Sequence, residues 1–295
     1  MIIDPKKLSQ PQLHNYLLGV IAPRPIAWAS TVDKEGNVNL APYSFFNVFS
    51  SNPPLLILSP ALPRSGELKH TLTNVQETGE LVVNIVSYSV VEQMSLSSTA
   101  YPKGVNEFIK SGLTEEQSEK VSPPRVKESV ASFECKLKQV ISLGDQPGAG
   151  NLILCEVVYG HISDHILDDN GQPDPVKADL VGRMGGDWYC RAQGESLFKV
   201  PKPNRNLGIG IDQIPAVIRN SPVLTGNNLG RLGNIENLPD SSKVKEYSES
   251  NEMKEIKARF INDQDSFLDH MHAMAQKYID VNDIEKAWLL LLQEL

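Results

Sequence analysis

The 295-residue sequence predicts a mainly β protein, an antiparallel barrel with short helices and a helical carboxy-terminal extension. Three observations carry that expectation. Strand-like runs follow one another through hairpin turns and short helices, without the regular alternation that builds parallel βαβ sheets. Several of these runs are rich in β-branched residues or alternate apolar and polar positions. A sustained helical period appears only after Met253.

In chain order, Ile26 to Thr31 is a short apolar run, Glu35-Gly36-Asn37 is a turn signal, and Val38 to Ala41 resumes the extended pattern, so the pair reads as a hairpin. A polar loop with aromatics follows, from Tyr43 to Asn52-Pro53-Pro54. Leu55 to Ser59, held between prolines, reads as a buried strand. Leu68 to Gln76 has helical spacing with Gly79 placed to stop it, and Leu81 to Val86 is again strand-like. Val90 to Ser97 reads as a short helix, and Ala100 to Pro124 as a long connection of the kind that often carries function. Phe133 to Leu143 alternates as a strand with one solvated face should, and Leu152 to Ile162 repeats the extended character before the Asp168-Asp169-Asn170-Gly171 turn.

The expected organisation is a barrel over 1–195, an irregular wrapping segment over 196–250, rich in Pro, Gly and Asn, and a helical extension over 251–295. In that extension Ile256, Phe260, Phe267, Met271, Met274 and Tyr278 recur at helical intervals, and Ile284 to Leu295 adds a Leu-rich helix. Its apolar face is expected to pack on the barrel or across a dimer.

Composition narrows the function. A formal net charge of −8 with no basic and aromatic cluster disfavours nucleic acid, and no apolar run approaches a membrane span. Three widely spaced cysteines, with no C-x-x-C pair, fit a reducing compartment, so a cytoplasmic location is expected. No G-x-S-x-G elbow, H-E-x-x-H or Walker A loop is present, and no metal site or catalytic acid–base residue is assigned. Gly208-Ile209-Gly210 lacks the third glycine of a dinucleotide fingerprint and reads as a turn.

The segments P-R-P-I-A-W-A-S-T (23–31), A-P-Y-S-F-F-N-V-F-S-S-N-P-P (41–54), K-H-T-L-T-N-V (69–75), G-V-N-E-F-I-K-S-G-L-T (104–114) and V-S-P-P-R-V (121–126) occur in this order. In this combination the chain resembles the flavin-reductase-like family of FMN-binding split barrels, which includes flavoredoxin-type proteins. The resemblance runs from about Ile21 to about Arg191 and implies a split barrel, FMN as cofactor, NADH or NADPH as hydride donor, a flavin or other electron acceptor as a further partner, and a homodimer. It implies flavin contacts at Pro25, Trp28, Ser30, Thr31, Ala41, Tyr43, Ser44 and Asn47. Residue chemistry agrees, because cofactor pockets pair apolar covers with a few hydrogen-bonding groups. The phosphate is expected at Arg64, Lys69 and Thr71, where a cation and a hydroxyl meet a predicted helix start. His70 stands where the family often has an acidic residue. The loop Ser95 to Phe108 is expected to reach the flavin of a neighbouring subunit. Alternatives on similar barrels are a non-enzymatic FMN electron carrier and a pyridoxamine-phosphate-oxidase-like flavoenzyme.

Overall fold

The computed structural model describes residues 1–203 and 207–294, and the chain divides into two compact units, Met1–Phe198 and Lys199–Leu295. Residues 204–206 of the expected wrapping segment and the last residue of the expected final helix lie outside the described residues.

In the first unit, helix α1 (Gln10–Val20) precedes strands β1 (Ala27–Val32), β2 (Val38–Tyr43), β3 (Phe46–Ser51) and β4 (Pro54–Leu58). Helix α2 (His70–Thr78) leads to β5 (Glu80–Ile85), and α3 (Val91–Leu96) and α4 (Glu107–Ser111) precede a two-residue ladder of β6 (Glu115–Glu116) with β7 (Arg125–Val126). The long strands β8 (Ala131–Ser142) and β9 (Asn151–Ile162), the short helix α5 (Pro175–Ala178) and the ribbon of β10 (Val181–Arg183) with β11 (Tyr189–Arg191) complete it.

The main sheet has seven strands in the order β2-β1-β5-β8-β9-β4-β3, and every pairing is antiparallel. Its two edge strands, β2 and β3, are consecutive in sequence and separated by only Ser44 and Phe45. In a flat sheet of this order the edges would stand about 29 Å apart, at ~4.8 Å per strand. Three peptide steps span at most about 11 Å. The sheet must therefore roll until its edges nearly meet, leaving a barrel open along one seam, and the expected split barrel is found. Bulges at Val48/Ser50, Glu134/Cys135 and Leu137/Gln139 supply local bending.

Alternation along the strands divides the core. Ala27, Ala29, Leu81, Val83, Cys135, Ile153 and Cys155 pack with Leu72 and Val75 of α2, whereas Trp28 and Leu40 pack with Met94 of α3, Phe108 of α4 and Val181 of β10. Both faces of β1 are thus buried. Gly79 ends α2 in the left-handed region, at φ 75°, as its position predicts. The loop expected after Tyr43 instead contains β3, an edge strand whose Asn47, Val48 and Phe49 are exposed. Pairing with β4, not burial, makes it a strand.

In the second unit, the Pro-, Gly- and Asn-rich stretch carries α6 (Ala216–Arg219) and α7 (Gly226–Leu232), followed by α8 (Ser241–Ser248), α9 (Asn251–Arg259), α10 (Gln264–Asp280) and α11 (Ile284–Leu291). Its polar residues punctuate helices instead of preventing them, as the Thr225 hydroxyl capping α7 and Asp240 capping α8 illustrate. Phe267, Met271 and Ile279 of α10 and Trp288 of α11 are buried with Ile214, Ile218, Leu232 and Met253 in a core of this unit's own. No helix among the described residues is long and apolar enough to cross a membrane.

Candidate functional site

Where β2 runs off its edge toward β3, a cavity of ≈1060 Å³ opens in the first unit. Ala41 to Phe45 form one wall, Ser65 to His70 lead into α2 along another, Ser97 to Lys103 follow α3, and Arg24, Arg183 and Met184 lie with His14 and Leu18 of α1. The segment expected to serve a neighbouring subunit therefore lines the cavity of its own chain.

Of the residues expected at the site, Ala41, Tyr43, Ser44 and Lys69 line this cavity. The others do not. Trp28 is fully buried, and its indole Nε1 donates to Ser97 Oγ at 2.9 Å, so it supports a lining residue from behind. Ser30 donates its hydroxyl to the carbonyl of Pro124 and is likewise buried. Thr31 and Thr71 belong to a buried network: Thr31 Oγ1 accepts from Asn74 Nδ2 at 3.1 Å, and Thr71 Oγ1 accepts from Asn39 Nδ2 at 3.0 Å and from the Tyr43 hydroxyl at 2.9 Å. These hydroxyls hold the wall that Asn39 and Tyr43 present. Pro25 is exposed, as alternation from the inward Arg24 requires. Asn47 is exposed on β3 with Oδ1 accepting from the Val48 amide, and Arg64 is exposed between the lining residues Pro63 and Ser65.

The structure adds residues that local sequence did not indicate. Glu107, at the start of α4, is buried, and its Oε2 accepts the Leu40 amide of edge strand β2 at 2.9 Å. A carboxylate thus takes the place of a neighbouring strand. Burial pushes the Glu107 carboxyl above its ordinary value, partly offset by the Leu40 and Glu107 amides and by His70. Burial, with the Glu107 charge adding to it against the Thr71 bond, pushes the Tyr43 hydroxyl up to about 12, so it stays a neutral donor. On the α3 side the Ser97, Ser98 and Thr99 hydroxyls donate back to the carbonyls of Met94, Ser95 and Leu96 at 2.7, 2.6 and 2.8 Å. With their protons committed, Ser98 and Thr99 offer lone pairs to the cavity, while Ser97 Oγ already accepts from Trp28.

Charge distinguishes this place from the rest of the chain. Arg24, Lys69, Lys103 and Arg183 line the cavity against Glu67 and Glu107, in a protein of net charge −8. Lys103 is drawn toward Asp33 and Glu35, at 3.6 and 3.7 Å. Lys69 occupies the N-cap of α2 with no side-chain cap bond, which leaves amides of the first turn available beside it. The arrangement is a cleft with one aromatic and hydroxyl wall and an excess of cations, suited to a flat anionic ligand.

The model of the flavin reductase like domain matches residues 21–176. An uncharacterised protein of Aquifex aeolicus (strain VF5) is 43% identical over 188 residues, which are 64% of this chain and 94% of that protein. The structure of nitrilotriacetate monooxygenase component B from Bacillus cereus is similar at 34% identity and TM-score 0.63, over 68% of this chain and 98% of that one. A Shewanella frigidimarina structure with a split barrel domain is similar at 27% identity and TM-score 0.58, over 68% of this chain and 99% of that one. By this domain match and these identities, spread over the barrel that builds the cleft, the chain belongs to the flavin reductase like family and is a flavin-utilising oxidoreductase.

Proposed function

We propose that the protein is an NAD(P)H-dependent flavin reductase that binds FMN in the cleft beside β2 and α2. The observation that carries this reading is the local reversal of charge: an acidic chain gathers Lys69, the uncapped α2 start and two arginines around a wall of Ala41, Tyr43, Ser44 and Phe45. These residues fit a flavin mononucleotide. Tyr43 and Phe45 supply apolar cover, the Ser98 and Thr99 oxygens accept from amide or ribityl donors, and Lys69 with the α2 amides receives a phosphate.

When bound, the flavin supplies a planar ring that accepts two electrons as hydride. The protein's part is to bind, orient and exclude water. Tyr43 keeps its proton and stays fixed on Thr71, and Glu107 is anchored on Leu40, so neither is free to move a proton far. Catalysis by positioning, without a dedicated acid–base residue, suits these side chains. A homodimer is part of the same reading, supported by exposed Val48 and Phe49 on the β3 edge.

The test is a fluorescence titration of purified protein with FMN, followed by steady-state oxidation of NADH and of NADPH with excess FMN. Saturable FMN binding and sustained nucleotide oxidation are expected. Reduction of one bound equivalent without turnover would convert the reading to an electron carrier, and absence of flavin binding would end it. Gel filtration with light scattering tests the dimer, which Val48→Lys with Phe49→Lys should dissociate.

A further inference from the structure

Arg24 and Arg183 stand 159 positions apart in sequence and face each other across an antiparallel bridge: Arg24 N donates to Arg183 O and Arg183 N to Arg24 O, each at 2.9 Å. Both line the cavity. The bridge is tightly built. A Cβ on Gly182 would fall 2.8 Å from Pro23 Cβ and 3.2 Å from Cys190 Sγ, and one on Gly185 would fall 3.0 Å from the Cα of Gly19 in α1. Glycine at both places lets the ribbon lie this close to the Pro23–Arg24 segment and to α1.

Among the described residues, each guanidinium is fixed by neutral groups only. Arg24 is 8% exposed; Nη1 donates to the carbonyls of Leu18 and Ile21 at 2.9 and 2.6 Å, and Nη2 to that of Met184 at 2.9 Å. Its Nε is buried and has no hydrogen-bond partner among the described residues. Arg183 donates from Nη2 to the Gly186 carbonyl at 2.6 Å, and its guanidinium lies 4.6 Å over the Tyr189 ring. Among the described residues no carboxylate forms an ion pair with either. Burial, and then the charge of Arg183, pull Arg24 below its ordinary value. Two like charges held side by side without a counter-ion oppose folding. An arrangement that keeps them so, on the wall of an open cleft, is ready for a dianion.

We infer that Arg24 and Arg183 form a phosphate subsite of the cleft, one that receives a phosphate ester or anhydride of a bound ligand. The guanidinium N–H groups left over from their carbonyl bonds can donate charge-assisted hydrogen bonds to phosphate oxygens. The subsite is independent of the flavin reading, but its source rests on that reading: with the FMN phosphate on α2, the group left for the arginines is the pyrophosphate of a nicotinamide dinucleotide. The other source is the flavin's own phosphate.

Riboflavin and FMN differ only by the phosphate, and ADP carries the pyrophosphate without the nicotinamide, so three titrations separate the sources. In wild type, Arg183→Gln and Arg24→Lys, flavin binding is read by fluorescence and ADP binding by calorimetry. ADP weakened at least tenfold in Arg183→Gln, with riboflavin and FMN within twofold, is the expected result. FMN reduced to riboflavin affinity with ADP unaffected would keep the subsite and give it to the flavin. Unchanged riboflavin binding reports an intact fold, and Arg183→Gln decides the matter should Arg24→Lys fail to fold. The inference is overturned if wild type neither binds ADP nor prefers FMN to riboflavin, or if Arg183→Gln leaves all three ligands within twofold. Absence of flavin binding in wild type would end the flavin reading alone, since ADP still reports on the arginines.

Discussion

Thr71→Val separates support of the cleft wall from contact with a ligand. The substitution keeps the shape of a fully buried side chain and removes the oxygen that accepts from Asn39 Nδ2 at 3.0 Å and from the Tyr43 hydroxyl at 2.9 Å. Asn39 is left with Thr31 Oγ1 at 3.4 Å, a poor substitute, and a stranded buried amide costs about 1–3 kcal/mol. Tyr43 lines the cavity and can turn to water, so its loss is only the net worth of a hydrogen bond, about 0.5–1.5 kcal/mol. Together the barrel should lose roughly 1.5–4.5 kcal/mol, at least about a tenfold change in its unfolding equilibrium. Urea denaturation followed by tryptophan fluorescence measures it, with Thr71→Ser restoring most of the loss. The ratio of FMN to riboflavin affinity should not move. A loss below about 0.5 kcal/mol, or a collapsed FMN preference at unchanged stability, would refute the assignment of Thr71 to the wall and return it to the phosphate.

The two units should respond differently to acid. His272 is buried in the helical unit with Nδ1 unpartnered among the described residues, and burial, against the pull of Asp269, lowers its pKa from the ordinary 6.5. The unfolded chain then binds more protons, so stability is intact above pH 6.5 and is lost as pH falls below it; His272→Leu should flatten that dependence in denaturation curves of residues 199–295. In the barrel, burial pushes the Glu134 carboxyl up, but the Glu119 amide, the His161 imidazole and the Lys120 amide outweigh it and hold it below the ordinary 4.5. Its contribution is present above pH 4.5 and disappears as pH falls through the lowered value; Glu134→Gln should destabilise at pH 7 and shift the acid limb, as circular dichroism can follow. Gly182→Val should cost roughly 1–3 kcal/mol by overpacking against Pro23, with a matching fall in thermal midpoint.

Much of the barrel was legible because its signals are local. The Glu35-Gly36-Asn37 turn does what its composition suggests: Asp33 Oδ1 accepts from the Glu35 and Asn37 amides and Gly36 takes φ 85°. Helix α1 carries a local mark too, the capping-box pair Ser9 and Gln12. The site was legible in part. At Ser30, Thr31 and Thr71, a hydroxyl looks the same in sequence whether it meets a cofactor or, as here, another protein group. Glu107 shows nothing locally of its bond to Leu40, 67 positions away, and Arg183 gains its meaning only when the ribbon returns to Arg24. The greasy face of α10 was plain, but which surface covers it depends on a core assembled from Ile214 to Leu291.

Ser44 and Phe45 join the two free margins of the rolled sheet and also line the cleft. Width of the seam and aperture of the cleft are thereby one mechanical variable. Any breathing that parts β2 from β3 has to open the mouth through which reactants enter, and a ligand gripping that wall acts as a clasp on the barrel itself.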